Sequence, residues 1–445
     1  MKNRLSVEKI AMSRVPESSR QSWLSVAFIW TGTIISIPVL MMGGILSTGL
    51  SLANIVIACL IGYMVIGLLM SLVGVISTDL GIPSAMVATK SFGDNGSRFI
   101  TSVANLISMV GWFGVQLAAC AAAFSMLLGF FGITGFPHWA GALIWGSIMI
   151  TTSVTGFSYI KWLNYLTVPL LAIVCLYGAW YGISQVGGAY LTGFVPAAGA
   201  GMTVPFAVSL AIGSLAAATV ICGDISRYAK NRTDTWLASF VGVVPAAVIM
   251  ITIGAIMAIS VGEWDITLVF AGLGVPLLAI IVLIIATWTT NTGNAYFGGM
   301  AVMKIGNFKD DKRPIVTLFV GVAGILLAML GLADALIGFI TVISAIIPPI
   351  AGVVIADYWI IGRGRPENWF RAKGFNWLGI IAWACGAVVG YFFSFFSPAS
   401  DSILVATILY IILHFTLGKT ALVAHEKMAL PGEEEVAEPA AQEGQ

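Results

Sequence analysis

The stretch TGTIISIPVLMMGG, residues 31–44, lies inside an uncharged apolar run, yet it contains Gly32, Pro38, Gly43 and Gly44. Pro38 removes a backbone donor and crowds the carbonyl one turn earlier, which frees oxygens near Ile34 and Ile35. The run is long enough to cross a bilayer, since ~20 helical residues cover a ~30 Å hydrocarbon core. Polar backbone left open in hydrocarbon is costly, so helix breakers persist there only where neighbours cover the freed groups or where those groups line a cavity. The segment is therefore either a kinked packing helix or an unwound stretch whose carbonyls hold a cation.

The rest of the chain agrees with a membrane setting. Of 445 residues, 59% are hydrophobic and 9% charged, against roughly 45–50% and 25% in a soluble domain. Apolar runs near 23–46, 53–77, 99–131, 137–156, 162–184, 203–225, 236–261, 275–301, 315–331, 335–360, 376–396 and 402–418 predict an all-α integral membrane protein of about twelve spans. They are too long for barrel strands of ~9–11 residues. Basic residues test this partition, because Lys and Arg concentrate on the cytoplasmic side of inner-membrane proteins. Lys90 and Arg98, Lys161, Arg227 to Arg232, Lys304 to Arg313 and Arg363 to Lys373 follow the even-numbered spans through ten, while the intervening connectors, including 185–202, carry none. With the N-terminal residues 1–22 and the tail 419–445, all 21 basic residues fall on one face, which predicts cytoplasmic termini in a bacterial-type inner membrane. The amino terminus is too long and polar for a cleavable signal peptide. The acidic end, PGEEEVAEPAAQEGQ, is expected to be a solvated tail. Five cysteines, all within apolar runs and without paired spacing, are expected to pack.

Polar groups within the spans mark candidate function. Span six, AIGSLAAATVICGD (211–224), places Gly213 and Ser214 mid-membrane. Interrupted helices at corresponding places in two halves point to a transporter of inverted repeats with its site at the midplane. Span eight, IIATWTTNTGNAYFGG (284–299), carries Thr287, Thr289, Thr290, Asn291, Thr292 and Asn294. The threonines alone could bond back to their own helix, but the two asparagines beside them predict a lined cavity. In span three, SMVGWFGVQLAAC (108–120), Trp112 and Gln116 share a face one turn apart. An indole stacks on planar rings, and a carboxamide both donates to and accepts from a heterocycle edge.

Together GWFGVQ (111–116), IGS (212–214), WTTN (288–291) and SAIIPPIAGVVIADY (344–358) resemble the nucleobase:cation symporter family, within it the cytosine permease branch. The resemblance implies a LeuT-type fold, with five-helix repeats at 23–184 and 203–360, two further helices at 376–418, and a transporter domain spanning 23–418. It implies a substrate site of Trp112 as stacking platform with Gln116, Asn291 and Asn294 as polar partners, closed by Ser214 and Leu215. It also implies a sodium site of backbone oxygens of Gly32, Ile35 and Ala286 and the hydroxyls of Thr289 and Thr290. This sequence departs from the branch in three places: Leu215 replaces a common aromatic, Met109 stands where Gln is usual, and Gln116 fills a position that is Gly in some cytosine permeases and Gln in relatives that take hydantoins or purines.

The expected function is symport of a nucleobase or related planar heterocycle, cytosine foremost, with sodium, through alternating access. No cofactor and no nucleic-acid partner are expected; the partners are the small-molecule substrate, the coupling cation and the lipid bilayer. The alternative is a proton-coupled permease for purines, hydantoin, allantoin or hydroxymethylpyrimidine. Sodium is favoured because the acidic residues fall at span ends and in connectors or tails, whereas proton-driven carriers usually hold an ionisable group at the midplane. A membrane-embedded enzyme is the distant alternative, since the three histidines have no partner at ligand spacing.

Overall fold

The apolar runs fold as helices in this computed structural model, which describes residues 14–155, 157–196, 201–420, 422–423 and 426–428. In chain order these are α1 (Trp23–Ile34), α2 (Ile37–Ser47), α3 (Leu52–Leu80), α4 (Asp94–Phe130), α5 (His138–Thr155), α6 (Phe157–Val186), α7 (Val204–Ser214) and α8 (Ala216–Ile221). There follow α9 (Arg232–Val261), α10 (Pro276–Gly306), α11 (Arg313–Met329), α12 (Leu336–Ile346), α13 (Pro348–Ile355), α14 (Trp377–Phe392) and α15 (Pro398–Leu417). Each of the predicted spans is occupied by one of these helices or by a broken pair. Among the described residues, seven helical stretches are long and apolar enough to cross a membrane, or eight with α1 and α2 taken as one bent span. The chain is an all-α integral membrane protein. The predicted acidic tail from Leu430 lies outside the described residues, as do Lys2, Arg4 and Lys9.

Three spans are interrupted. α1 and α2 meet at a 56° bend, where Ile35 turns away from helical geometry and Ser36 is extended. Pro38 occupies the first turn of α2, a place that needs no N–H, so it starts a helix instead of kinking one. In span six the break falls at Leu215, between α7 and α8. Span ten, expected as one helix over 335–360, breaks at Ile347 before Pro348 and Pro349 and ends in a π-helical turn, Ala356–Ile361. Two successive prolines leave consecutive carbonyls of the previous turn without backbone donors.

Small residues set the closest crossings. A Cβ on Gly254 would overlap the Leu40 carbonyl, one on Gly43 the Ile251 carbonyl, and one on Gly242 would lie 2.7 Å from the Ala27 carbonyl. α9 therefore lies backbone to backbone along both α1 and α2, the arrangement that small residues permit between membrane helices. The Thr31 hydroxyl adds a 3.0 Å hydrogen bond to the Gly242 carbonyl. Of the five cysteines, four are buried as expected, whereas Cys385 is exposed on the helix surface; none is in a disulfide.

The basic connectors gather at one end of the bundle. Arg14 donates to the Leu80 carbonyl at 2.7 Å, and Gln21 N–H to Tyr228 at 2.6 Å. Residues 14–22 are thus fastened to the ends of spans two and six and do not form a free tail. Arg371–Ala372 pairs antiparallel with Lys427–Met428, and Arg371 bridges to Asp94 at 3.0 Å. The π-helical turn supplies two anchors. Buried Asp357 meets Lys90 at 3.4 Å and accepts from Ser91 at 3.2 Å and Tyr410 at 3.1 Å. Tyr358 donates to Asp79 at 2.5 Å, which Arg232 also reaches at 2.9 Å.

Removing one member of a buried ion pair leaves the other uncompensated, at a cost of about 3–5 kcal/mol. Asp357→Ala is therefore expected to lower the thermal unfolding midpoint in detergent sharply. The double change Lys90→Met with Asp357→Leu should recover most of that loss. Equal destabilisation by the double change would show that the pair's charges are not what holds this end.

Candidate functional site

α4 carries Trp112 and Gln116 midway along a long helix, and both are buried. α10, packed along α4, brings Asn291 to the same turn. Its Nδ2 donates to the Phe113 carbonyl at 2.9 Å, and its Oδ1 accepts from Asn294 at 2.9 Å. Asn291 and Asn294 are thus joined to one another and to the backbone of α4 at Phe113, the residue after Trp112. The Gln116 side chain is fully buried, and neither Oε1 nor Nε2 has a hydrogen-bond partner among the described residues. Neither does the Thr287 hydroxyl. Leaving such a group unpaired costs about 1–3 kcal/mol, so these atoms are suited to a polar ligand or a water.

The wall of span six reaches this site through α12. Phe339 packs edge-on against Trp112, with centroids 5.5 Å apart at 83°, and leans on Gly111, where a Cβ would meet its ring. The next residue, Ile340, fills the space beside Gly213, with its carbonyl 2.8 Å from where a Cβ would sit. α12 thus touches Trp112 through Phe339 and the Gly213 turn of span six through Ile340. The Ser214 hydroxyl donates to the Ala211 carbonyl at 2.7 Å and accepts from Tyr63 at 2.8 Å. Leu215 sits half-buried at the break itself. Met109, one turn before Trp112, is buried and lies against Gly298 of α10.

Tyr63 and Phe339 were not anticipated. Tyr63 is one of several polar residues in its run, beside Asn54, Ser71 and Ser77, and Phe339 is one aromatic among many. Only the packing distinguishes them.

Of the five positions implied for sodium, three converge. The hydroxyls of Thr289 and Thr290 each lie 2.9 Å from the Ala286 carbonyl, to which they donate. Gly32 and Ile35 lie at the end of α1, where the last carbonyls of a helix lack intrahelical partners. A Cβ on Gly32 would meet nothing within 4 Å. Among the described residues no hydrogen bond joins this break to Ala286, Thr289 or Thr290. The donor set consists of neutral oxygens, the kind that suits a hard cation. No group of three or more His, Cys, Asp or Glu side chains among the described residues could hold a metal ion.

Comparison with known proteins gives this geometry a family. Residues 14–413 match the family described as a permease for cytosine/purines, uracil, thiamine and allantoin. Cytosine permease of Escherichia coli strain K12 is 31% identical over 416 residues, 92% of this chain and 96% of that protein. Hydantoin permease of Microbacterium maritypicum is 25% identical, covering 82% of this chain and 80% of its own length. Among solved structures, the inward-facing conformation of Mhp1 superposes with a TM-score of 0.80 at 22% identity, over 92% of this chain and 95% of that one. The closed conformation of the same transporter, with bromovinylhydantoin bound, gives 0.74 at 21% identity, over 93% of this chain and 97% of that one. That likeness establishes the LeuT-type membrane-transporter fold. The relatives are permeases and not enzymes, which removes the membrane-embedded enzyme from consideration. On the match over 14–413 and the 31% identity, the chain belongs to the cytosine/purine permease family, the nucleobase:cation symporters.

Proposed function

We propose that this secondary transporter imports a nucleobase or related planar heterocycle, cytosine foremost, in symport with sodium by alternating access. The observation that carries the reading is Gln116: a fully buried carboxamide without a partner among the described residues, one turn from a buried indole. A planar base with donors and acceptors on its edge would stack on Trp112 and satisfy Gln116 with its rim. Asn291, already spent on Phe113 and Asn294, orients more than it selects, whereas Gln116 has all its valences free for the substrate. Ser214 and Leu215 would close the far wall. A hydantoin or purine ring is the second reading, favoured by Gln116 in place of Gly and by Leu215 in place of an aromatic. Sodium would sit between the break of span one and span eight, on the oxygens of Gly32, Ile35, Ala286, Thr289 and Thr290. Its arrival would only require the two threonine hydroxyls to turn their protons away from Ala286. The basic end of the bundle would face the cytoplasm of a bacterial-type inner membrane.

Trp112→Ala should weaken the best ligand of a heterocycle panel by roughly fivefold to 150-fold, since stacking a base on an aromatic is worth about 1–3 kcal/mol. An unchanged binding constant would make Trp112 a packing residue. For coupling, wild-type affinity should rise with sodium, and Thr290→Val, which keeps the branched shape but loses one oxygen, should shift that rise to higher sodium. Coupling between two sites is reciprocal, so sodium affinity must fall with it. Sodium-independent binding together with uptake driven by a pH gradient would instead support protons. Orientation is checked by cysteine labelling of intact cells, where a cysteine at Gly193 should react from outside and one at Asn231 should not. The reverse pattern would invert the topology.

A further inference from the structure

A groove of about 810 Å³ opens between α4, α10, α11 and α12, separate from the polar side chains of the Trp112 site. Its wall is formed by apolar residues such as Val110, Val302, Val316 and Phe319, and the only charged side chain lining it is Lys312. It follows α11 from Lys312, just before the first residue of that helix, to Leu327, close to its last. The outer lip is open, with Phe319 69% and Ile315 52% exposed. The inner end is Gly111 and Phe339, the ring that packs on Trp112. Apart from Lys312 at one end, a planar heterocycle would find no polar side chain along this wall, whereas an extended hydrocarbon chain matches it.

The charge at one end narrows the occupant. Lys304, Lys309, Lys312 and Arg313 crowd the turn between α10 and α11 against only Asp310 and Asp311. Lys312 lies 3.9 Å from Asp311, with both side chains exposed. Such a pair is worth about 0–1 kcal/mol, which leaves the ammonium free to turn to a phosphate. Basic pockets at the end of membrane helices are where anionic head groups are held. We infer that this groove binds an anionic phospholipid, with one acyl chain along α11 to Phe339 and its phosphate on Lys312. A second copy of the chain would need an apolar face along the whole groove and would offer Lys312 no phosphate.

The test is native mass spectrometry of the full chain in detergent with added phosphatidylglycerol or phosphatidylcholine, and it is independent of the transported solute. Wild type should retain phosphatidylglycerol at least about fivefold better, the ~1 kcal/mol expected per basic residue near the surface. Lys312→Glu should remove that preference and Lys312→Arg keep it, while Ala323→Trp, which fills the groove, should reduce retention of both lipids. Equal retention of the two lipids by wild type, or a preference unchanged in Lys312→Glu, overturns the assignment. So does a dimer of the delipidated protein that Ala323→Trp dissociates, for then the groove covers a second copy. Should Ala323→Trp fail to fold, the exposed Lys312 pair of variants decides alone.

Discussion

In hydrocarbon every backbone N–H and C=O must find its partner within the protein, and the architecture here follows from where that requirement is relaxed. The lipid-facing stretches are long unbroken helices. The three interruptions lie where other groups stand in for the missing backbone bonds. Trp383 donates its indole N–H to the Ile346 carbonyl at 2.8 Å, at the break of span ten. The Ser214 hydroxyl does the same for Ala211 beside the break of span six. At the break of span one, Ser36 is buried and its hydroxyl approaches the Ile34 carbonyl at 3.4 Å. Each interruption is thus compensated by a side chain of the bundle.

The same constraint sorts the polar side chains. Thr289, Thr290 and Thr292 are satisfied by carbonyls of their own helix and can change partners at little cost. Asn291 and Asn294 are satisfied across α4 and by one another. Gln116 and Thr287 have no partner among the described residues. The polar side chains of spans three and eight therefore divide into those bonded within the protein and those left without a partner, Gln116 of the second kind one helical turn from Trp112.

Much of this was legible in the sequence because apolar runs and charged connectors carry their physics locally. The interruptions at Pro38 and at Gly213-Ser214 were visible for the same reason, as were Trp112, Gln116 and the asparagine pair. The break of span one falls at Ile35 and Ser36, beside the oxygens Pro38 is expected to free; what the sequence leaves open is whether the proline kinks a helix or opens the next one. Span ten looked continuous because its hydropathy never drops at Pro348-Pro349. Tyr63 and Phe339 act through partners more than a hundred residues away, and nothing in their own neighbourhoods signals it. Whether Gly32 and Ile35 share an ion with Ala286 is likewise a matter of how two distant spans approach.

The glycine contacts along α9 bear on motion. Ala27 and Thr31 before the break of span one, and Leu40 and Gly43 after it, are all pressed against or bonded to the backbone of this one helix. Both arms of the bend in span one are thus braced by one helix, and a rearrangement that keeps these contacts carries spans one and seven together as one body.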